Sequence, residues 1–240
     1  MSKTPPNVPD GTDLAQLIRG RGPHCLIVAR HGETEWNAEG RLQGQQDTSL
    51  NRRGLSQALE AARFLRDVPL VQVHSSTLGR ACKTAEFVAE VNIDQPNVLY
   101  SDLLKEAALG VLEGELTGKQ STAELTQHYR KFSRDEIHYR VPDGENLQDV
   151  SARVQRFFVN QHQLLSERGT HLIVGHRNVN KMIVKSLLGL SFEEGYRVEH
   201  EHQRLYFYFG ASKELWSCQV EGASARLTQG YVTTTGSSYA

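Results

Sequence analysis

A short apolar run ends in a charged turn at Leu26-Ile27-Val28-Ala29-Arg30-His31-Gly32-Glu33-Thr34-Glu35-Trp36-Asn37. Four apolar residues followed at once by Arg, His and Gly predict a buried strand that ends in a sharp turn. Such a strand delivers Arg30 and His31 to the carboxyl edge of a sheet, where ligands bind in open α/β folds. A guanidinium, an imidazole and the backbone N–H groups near Gly32 suit a phosphate better than a neutral ligand. We therefore predict a phosphate site at this strand end.

The segments that follow alternate between strand and helix patterns. A helix is expected from the N-cap residue Asn51, and a second strand at 71–76 runs into a helix that carries Arg80 in its first turn. Another apolar run ends in His176 and precedes a helix over 178–188. This alternation predicts an α/β fold, specifically a three-layer α/β/α sandwich with a mostly parallel central sheet.

The chain is expected to form one domain, over residues 23–222, with a small helical lid inserted at about 115–141. Residues 1–22 carry several prolines and are expected to be an N-terminal extension outside the core. Residues 223–240 are rich in Thr, Ser and Gly near their end, which predicts a flexible C-terminal tail.

Composition excludes several classes of function. Lys and Arg number 27 and Asp and Glu 28, so the formal net charge of −1 gives no overall attraction to nucleic acid or to an anionic membrane. Three cysteines in no metal-binding or disulfide pattern are typical of a reducing compartment. With neither a signal peptide nor an apolar run long enough to span a membrane, we expect a cytoplasmic protein.

The predicted sheet edge brings together residues that can handle phosphate. His31 and His176 end two well-separated strands, with Arg30 and Arg80 at the same level. A serine hydrolase would need a G-x-S-x-G turn, which the sequence lacks, and the cations at this edge disfavour a divalent metal ion. A histidine nucleophile remains, with arginines to spread the phosphoryl charge and Glu106, on the loop after another strand, to protonate the leaving oxygen.

A second pair of histidines lies near the C-terminus, at His200 and His202. On a strand the two side chains would share one face, as a metal pair requires. No third ligand accompanies them in the sequence, so a contact with a partner or a place at a strand edge is favoured.

Several segments, in order from about Cys25 to Leu190, carry a resemblance to a known family. These are Arg30–Asn37, Ser75–Ala85, Leu104–Glu106 with Gly110 and Glu113-Gly114, Asp143–Asn146, and Val174–His176. They resemble the signature of the histidine phosphatase superfamily, in its phosphoglycerate mutase-like branch. The resemblance implies an enzyme of the phosphoric monoester hydrolase type that needs neither a metal nor another cofactor.

The resemblance also implies a role for each site residue. His31 would become phosphorylated, and Glu106 would act first as proton donor and then as base for water. The phosphoryl group would be held by Arg30, Arg80 and His176, with support from Asn37. Residues around Gln43 and Gly44 would face the leaving group of the substrate.

One residue departs from the family pattern. Arg177 follows the second histidine, where relatives usually have Gly or another small residue. It is interpreted as a further contact for a substrate anion, and a side chain turned away to a salt bridge is the alternative. The substrate would then be a small, multiply anionic phosphorylated metabolite.

Hydrolysis is favoured over phosphoryl transfer within the family. The mutases resembling this group carry a longer, arginine-bearing insertion after the acid, whereas the segment 110–117 looks like the shorter phosphatase form. A phosphoglycerate mutase-type transfer and a non-catalytic regulatory relative stay open as alternatives. Whether the chain forms a homodimer is also open.

Overall fold

The computed structural model describes residues 7–8, 11–162, 164, 168–222 and 224–234. Within these residues the α-helices are α1 Gly11–Gly20, α2 Glu35–Ala38, α3 Arg52–Phe64, α4 Gly79–Val91, α5 Ala123–Arg134, α6 Leu147–Asn160, α7 Arg177–Leu188 and α8 Phe192–Arg197. The strands are β1 Asn7–Val8, β2 His24–Arg30, β3 Leu70–Ser76, β4 Val98–Ser101, β5 Gly169–Gly175, β6 Arg204–Phe209, β7 Glu214–Glu221 and β8 Ser224–Gln229. Short 3-10 helices lie at Asp102–Leu104 and Gly110–Leu112.

The described strands form one mixed sheet in the order β1-β8-β7-β6-β2-β5-β3-β4. Strands β2, β5, β3 and β4 pair in parallel, whereas β2–β6, β6–β7, β7–β8 and β1–β8 pair antiparallel. The α/β class is confirmed, but the parallel part is smaller than expected. Short connections join β6 to β7 and β7 to β8, and such hairpin connections produce only antiparallel neighbours.

The register between β2 and β5 places the two strand ends side by side. Arg30 pairs with Gly175, and the backbone N–H of His31 donates to the Gly175 carbonyl at 3.1 Å, one residue beyond the ladder. His31 and His176 therefore leave adjacent strands at the same level of the sheet, as the sequence predicts.

Helices cover both faces of the sheet and bury two separate cores. Side chains alternate between the faces along β2, because successive residues of a strand point to opposite sides. Ile27 belongs to the core that includes residues of α1, α3 and α4, and Val28 belongs to the core that includes residues of α6 and α7. This arrangement is the expected three-layer sandwich.

The predicted lid region contains α5 and contributes to a third, smaller core. This lid core consists of Leu42, Leu109, Leu112, Tyr129, Phe132 and Val141. Leu42 comes from the loop after α2, and its backbone pairs with Glu115 and Gly114 at the start of the lid region. The lid is thereby tied to the loop that carries Gln43 and Gly44.

The structure differs from the sequence predictions at both ends of the domain. Leu14 and Ile18, in the expected N-terminal extension, are 0% and 5% exposed and belong to the sheet core. Residues 224–229, in the expected flexible tail, form β8 and bury Ala225 and Leu227. Each segment becomes ordered by pairing or packing with distant residues, which its own composition does not indicate. Residues 1–6 and 235–240 lie outside the described residues, and the domain limits there stay a prediction.

None of the described helices has the length and apolarity that crossing a membrane requires.

We expect Leu14→Ala to lower the free energy of unfolding by about 2–5 kcal/mol, because it removes a fully buried side chain from the core and leaves a cavity. Gln16→Ala, at an exposed position of the same helix, is the matched control. Urea denaturation of the two variants measures the difference. Equal stabilities would show that α1 does not contribute to the core.

Candidate active site

The carboxyl edge of the parallel strands opens into a pocket of about 190 Å³. Eight of the nine predicted site residues line it, namely Arg30, His31, Asn37, Gln43, Gly44, Arg80, Glu106 and Arg177. The ninth, His176, lies against His31, with the two ring centroids 4.9 Å apart. The structure therefore brings all the predicted residues to one place.

The His31 imidazole is held as one neutral tautomer. The residue is 2% exposed, and its Nδ1–H donates to the Gly32 carbonyl at 2.6 Å. Burial holds the pKa of His31 well below its ordinary value, and Arg80, His176 and Arg30 act in the same direction. Because a neutral imidazole carries one proton, the Nε2 atom keeps its lone pair. His31 thus presents a nucleophilic nitrogen at the pocket.

His176 is fully buried at the N-cap of α7. Neither of its ring nitrogens has a hydrogen-bond partner among the residues that the structure describes. Burial lowers the pKa of His176 far below the usual value, and Arg80 and Arg30 reinforce that effect. A buried polar group without a partner costs free energy, so the position of His176 beside His31 suits it to contact a bound ligand.

Two arginines supply positive charge in the pocket beside His31. Arg80 is 1% exposed, and its terminal nitrogens donate to the carbonyls of Gln46 at 2.7 Å and Gly44 at 2.9 Å. Arg30 donates from Nη1 to the His200 carbonyl at 3.0 Å. These bonds to backbone oxygens fix the guanidinium groups without neutralising their charge.

Gly44 occupies a position that other residues cannot adopt without strain. Its φ is +53°, and a Cβ there would lie 2.1 Å from Oε1 of Glu113. That same Glu113 oxygen accepts from the backbone N–H groups of Gln45 and Leu109, at 2.8 and 3.0 Å. The glycine lets the loop pass close to Glu113 while its carbonyl reaches Arg80.

Glu106 lies at the N-terminus of α7. Its Oε1 accepts from the backbone N–H groups of Asn178 at 3.0 Å and Val179 at 3.3 Å, and also from that of Ala107 at 2.9 Å. Arg153 donates to the Glu106 carbonyl at 3.0 Å and holds this loop from behind. Unpaired N–H groups at a helix start attract anions, so the carboxylate is fixed at the pocket by the helix itself.

Asn37 reaches the pocket from α2, and Gln43 from the loop that follows this helix. Asn37 completes a capping box at the start of α2, where its Oδ1 accepts from the Thr34 backbone N–H at 3.2 Å. The Oε1 atom of Gln43 accepts from the Thr48 hydroxyl at 2.5 Å. Both side chains are thus oriented by contacts within their own segment.

Two buried ionisable side chains, Lys181 and Glu136, lie near Arg177, and Lys181 is one turn further along α7. Lys181 is 0% exposed and donates to the Tyr196 carbonyl at 2.7 Å, while Oε1 of Glu136 accepts from the Tyr196 hydroxyl at 3.1 Å. Burial lowers the pKa of Lys181 to about 7, an effect that the charge of Glu136 opposes. Burial raises the pKa of Glu136, and Lys181 and Arg177 oppose that rise. These charges form the surroundings of the Arg177 guanidinium.

Sequence reasoning missed other residues of the site. Arg41, Thr117 and Asn178 line the pocket, and no motif distinguished the first two. His202, which was noted only for its spacing from His200, donates to the His31 carbonyl at 2.7 Å. The metal alternative for this pair gains no support, because the described residues contain no group of three or more His, Cys, Asp or Glu arranged to hold an ion.

Comparisons with known proteins agree on the family. The family model described as histidine phosphatase superfamily (branch 1) matches residues 26–217. The probable phosphoglycerate mutase GpmB of Escherichia coli is 32% identical over 169 residues, which cover 69% of this chain and 75% of that protein. Its counterpart in Salmonella arizonae is 33% identical over the same length.

Two solved structures with the same fold are named as phosphatases. A putative alpha-ribazole-5'-P phosphatase from Escherichia coli matches with a TM-score of 0.68 and 25% identity, covering 89% of this chain and 97% of that one. A mycobacterial glucosyl-3-phosphoglycerate phosphatase in complex with VO3 matches with a TM-score of 0.67 and 25% identity, covering 88% and 100%.

We expect the free energy of unfolding to fall as the pH drops below about 6.5, the ordinary histidine pKa. The pKa values of His31, His74, His176, His200 and His202 are all lowered in the folded state. Between pH 6.5 and the pKa of each histidine in the folded state, the unfolded chain therefore binds more protons than the folded chain. Each histidine lowers the free energy of unfolding by up to about 1.4 kcal/mol per pH unit.

Urea denaturation at several pH values between about 7 and about 5 measures this slope. His74→Gln removes one of these five histidines, and His74 does not line the pocket. The unfolding free energy of this variant should therefore depend less steeply on pH than that of the wild type. A stability that stays constant over this range would contradict the neutral, buried histidines.

Proposed function

The chain belongs to the histidine phosphatase superfamily, and from this premise we propose that it is a metal-independent phosphomonoester hydrolase with a phosphohistidine intermediate. Members of that superfamily act on phosphate esters. One observation carries the proposal: a neutral His31, with Nδ1–H bonded to Gly32, presents its free Nε2 in a pocket lined by two arginines.

In the first step Nε2 of His31 attacks phosphorus and the P–O ester bond breaks. Glu106, in its protonated form, gives its proton to the leaving oxygen, which departs as an alcohol. Arg30 and Arg80 line the pocket that receives the phosphoryl group. As fixed cations they stabilise the negative charge on its equatorial oxygens in the transition state. His176, buried against His31, is placed to contact the same oxygens.

In the second step a water molecule attacks the phosphoryl group and the P–N bond breaks. The Glu106 carboxylate takes a proton from this water, which restores the acid for the next cycle. Inorganic phosphate is released and His31 returns to its neutral form. Protein groups carry out every proton transfer, so the scheme needs no metal ion.

A phosphoglycerate mutase is the second candidate function, because GpmB, the sequence relative, carries that name. Hydrolysis is favoured by the short connection after Glu106, where the 3-10 helix Gly110–Leu112 leads directly into the lid. The two functions separate in one assay with 3-phosphoglycerate. Faster isomerisation than phosphate release would establish the mutase.

We expect wild-type protein to take up acid-labile phosphate from a labelled phosphomonoester, and His31→Ala to take up none. Glu106→Gln should lower kcat by about 10²–10⁴-fold, because the leaving oxygen then lacks its proton donor. His138→Ala, at an exposed position, is the matched control and should keep wild-type activity. A chelator should leave activity unchanged. Unlabelled wild-type protein, or activity that a chelator abolishes, would contradict the proposal.

For the substrate, we propose a small phosphomonoester with a second anionic group that contacts Arg177. Arg177 lines the pocket at the first residue of α7, close enough to the Glu136–Lys181 pair for their charges to interact. A volume of about 190 Å³ favours a small leaving group. A cytoplasmic location, a lack of nucleic-acid partners and a homodimer stay predictions.

We expect Arg177→Met to raise the KM for 3-phosphoglycerate about tenfold or more, the value of a lost charged hydrogen bond. The KM for p-nitrophenyl phosphate, which has no second anion, should not change. Lys185→Met removes a cation two turns further along the same helix and is the matched control. An equal change in the KM for both substrates would show that Arg177 does not bind a second anionic group of the substrate.

A further inference from the structure

We propose that His202 and Thr84 are positioning residues that hold the peptide group between His31 and Gly32 from its two sides and thereby orient the nucleophile. The proposal rests on the proposed function, since it concerns how His31 is prepared for attack on phosphorus. Neither residue touches the reacting atoms, so both would act through the backbone of the turn.

His202 holds the carbonyl of this peptide. Its Nδ1–H donates to the His31 carbonyl at 2.7 Å, and its ring centroid lies 5.3 Å from that of His31 at an angle of 63°. Two residues earlier, the carbonyl of His200 accepts a hydrogen bond from Arg30. The short segment 200–202 therefore contacts both Arg30 and His31 at the end of β2.

Thr84 holds the N–H of the same peptide. The Gly32 N–H donates to Oγ1 of Thr84 at 3.2 Å. The hydroxyl of Thr84 in turn donates to the Arg80 carbonyl at 2.9 Å, which directs an oxygen lone pair toward Gly32. Thr84 is 2% exposed on α4, the helix that also supplies Arg80. Both hydrogen-bonding groups of the peptide are thus occupied by side chains from distant parts of the chain, the partly buried His202 and the buried Thr84.

The orientation of the His31–Gly32 peptide matters because Gly32 joins it to the next peptide group, between Gly32 and Glu33. The Gly32 carbonyl accepts from Nδ1 of His31, and the following N–H, of Glu33, donates to Oε1 of Gln57 at 2.8 Å. A glycine allows many backbone conformations, so side chains must fix the peptides on both sides of it. Close packing adds to this restraint, since a Cβ on Gly32 would lie 2.2 Å from the Gly54 carbonyl oxygen.

The consequence reaches the reactive nitrogen. The partner of one imidazole nitrogen decides the tautomer, and hence whether the other nitrogen carries a lone pair. If the Gly32 carbonyl moves away from Nδ1, the proton can shift to Nε2 and the nucleophile is lost. His202 and Thr84 prevent that movement.

The charge around His202 is consistent with a donor of fixed tautomer. Burial lowers the pKa of His202 to about 3, and the charges of Arg30, Arg53 and Arg177 contribute to the lowering. The imidazole is therefore neutral at physiological pH, and Nδ1 carries its proton toward His31. It adds no further positive charge beside the arginines.

The test combines His202→Leu and Thr84→Val with two conservative variants. His202→Asn keeps an N–H donor and Thr84→Ser keeps a hydroxyl, so these should retain most of the wild-type behaviour. His138→Asn, an exposed histidine on the turn after α5, is the matched control. The ¹⁵N chemical shifts of His31 report its tautomer, and single-turnover reaction with p-nitrophenyl phosphate reports phosphoenzyme formation.

We expect His202→Leu and Thr84→Val each to lower the rate of phosphoenzyme formation about 10- to 100-fold, the effect of a small misplacement of a reacting group. The His31 shifts should move toward the Nε2-protonated form, with the KM changed by less than about twofold. The double variant should lose less than the product of the single losses, because both residues hold one peptide.

Folded variants with unchanged His31 shifts and an unchanged rate would overturn the proposal. The proposal would also fail if His202→Asn and Thr84→Ser lowered the rate of phosphoenzyme formation as much as His202→Leu and Thr84→Val. The hydrogen bonds would then not be the cause of the effect. If Leu or Val prevented folding, His202→Ala and Thr84→Ala, which also remove the two hydrogen bonds, would be compared with His202→Asn and Thr84→Ser by the same ¹⁵N shifts, and equal His31 shifts in all four would overturn the proposal. Wild-type protein that takes up no phosphate at His31 would refute the proposed function alone, because the tautomer measurement does not depend on it.

Discussion

The parallel pairing of β2 with β5 is the constraint on which the site depends. Arg30 and Gly175 are partners in this register, and the next residues of the two strands are the paired histidines, His31 and His176. A slip of one residue would turn every side chain of β2 to the opposite face. The register is strongly specified, because Leu26 and Ile27, on opposite faces, are both 0% exposed. Burial of β2 thus determines where Arg30 and His31 lie at its end.

Uncharged imidazoles among fixed cations give the site its electrostatic character. Burial and the arginines keep His31 and His176 neutral, and the guanidinium groups of Arg30 and Arg80 are held by backbone carbonyls. Without an added proton, His31 keeps a nitrogen lone pair in a pocket lined by arginines, as the proposed nucleophile requires. Such a pocket attracts a phosphate dianion while its reactive nitrogen stays unprotonated. Glu106, anchored by α7, provides the carboxyl group that the proposed mechanism uses first as acid and then as base.

The strand ends could be predicted from the sequence, because apolar runs that stop at Arg-His or Gly-His mark the sheet edge locally. The helix start that carries Arg80 was equally visible. Contacts between distant parts of the chain could not be predicted in this way. His202 and His31 are 171 residues apart, and no local pattern relates them. The strand β8 depends on pairing with β7, and α1 on a core surface built by later residues. The proportions of parallel and antiparallel strands depend on the same long-range pairings.

The first turn of α7 serves three roles in the site at once. His176 is its N-cap, Arg177 is its first residue, and the N–H groups of Asn178 and Val179 bind Glu106. A change in the tilt of this helix would move His176, Arg177 and Glu106 together, and with them the proposed phosphate contact, substrate contact and acid. If Arg177 contacts the substrate as proposed, a new substrate preference would arise by exchange of the side chain at position 177 on a fixed helix. Divergence among relatives with different substrates should concentrate at such single positions, while the backbone of this turn stays superimposable.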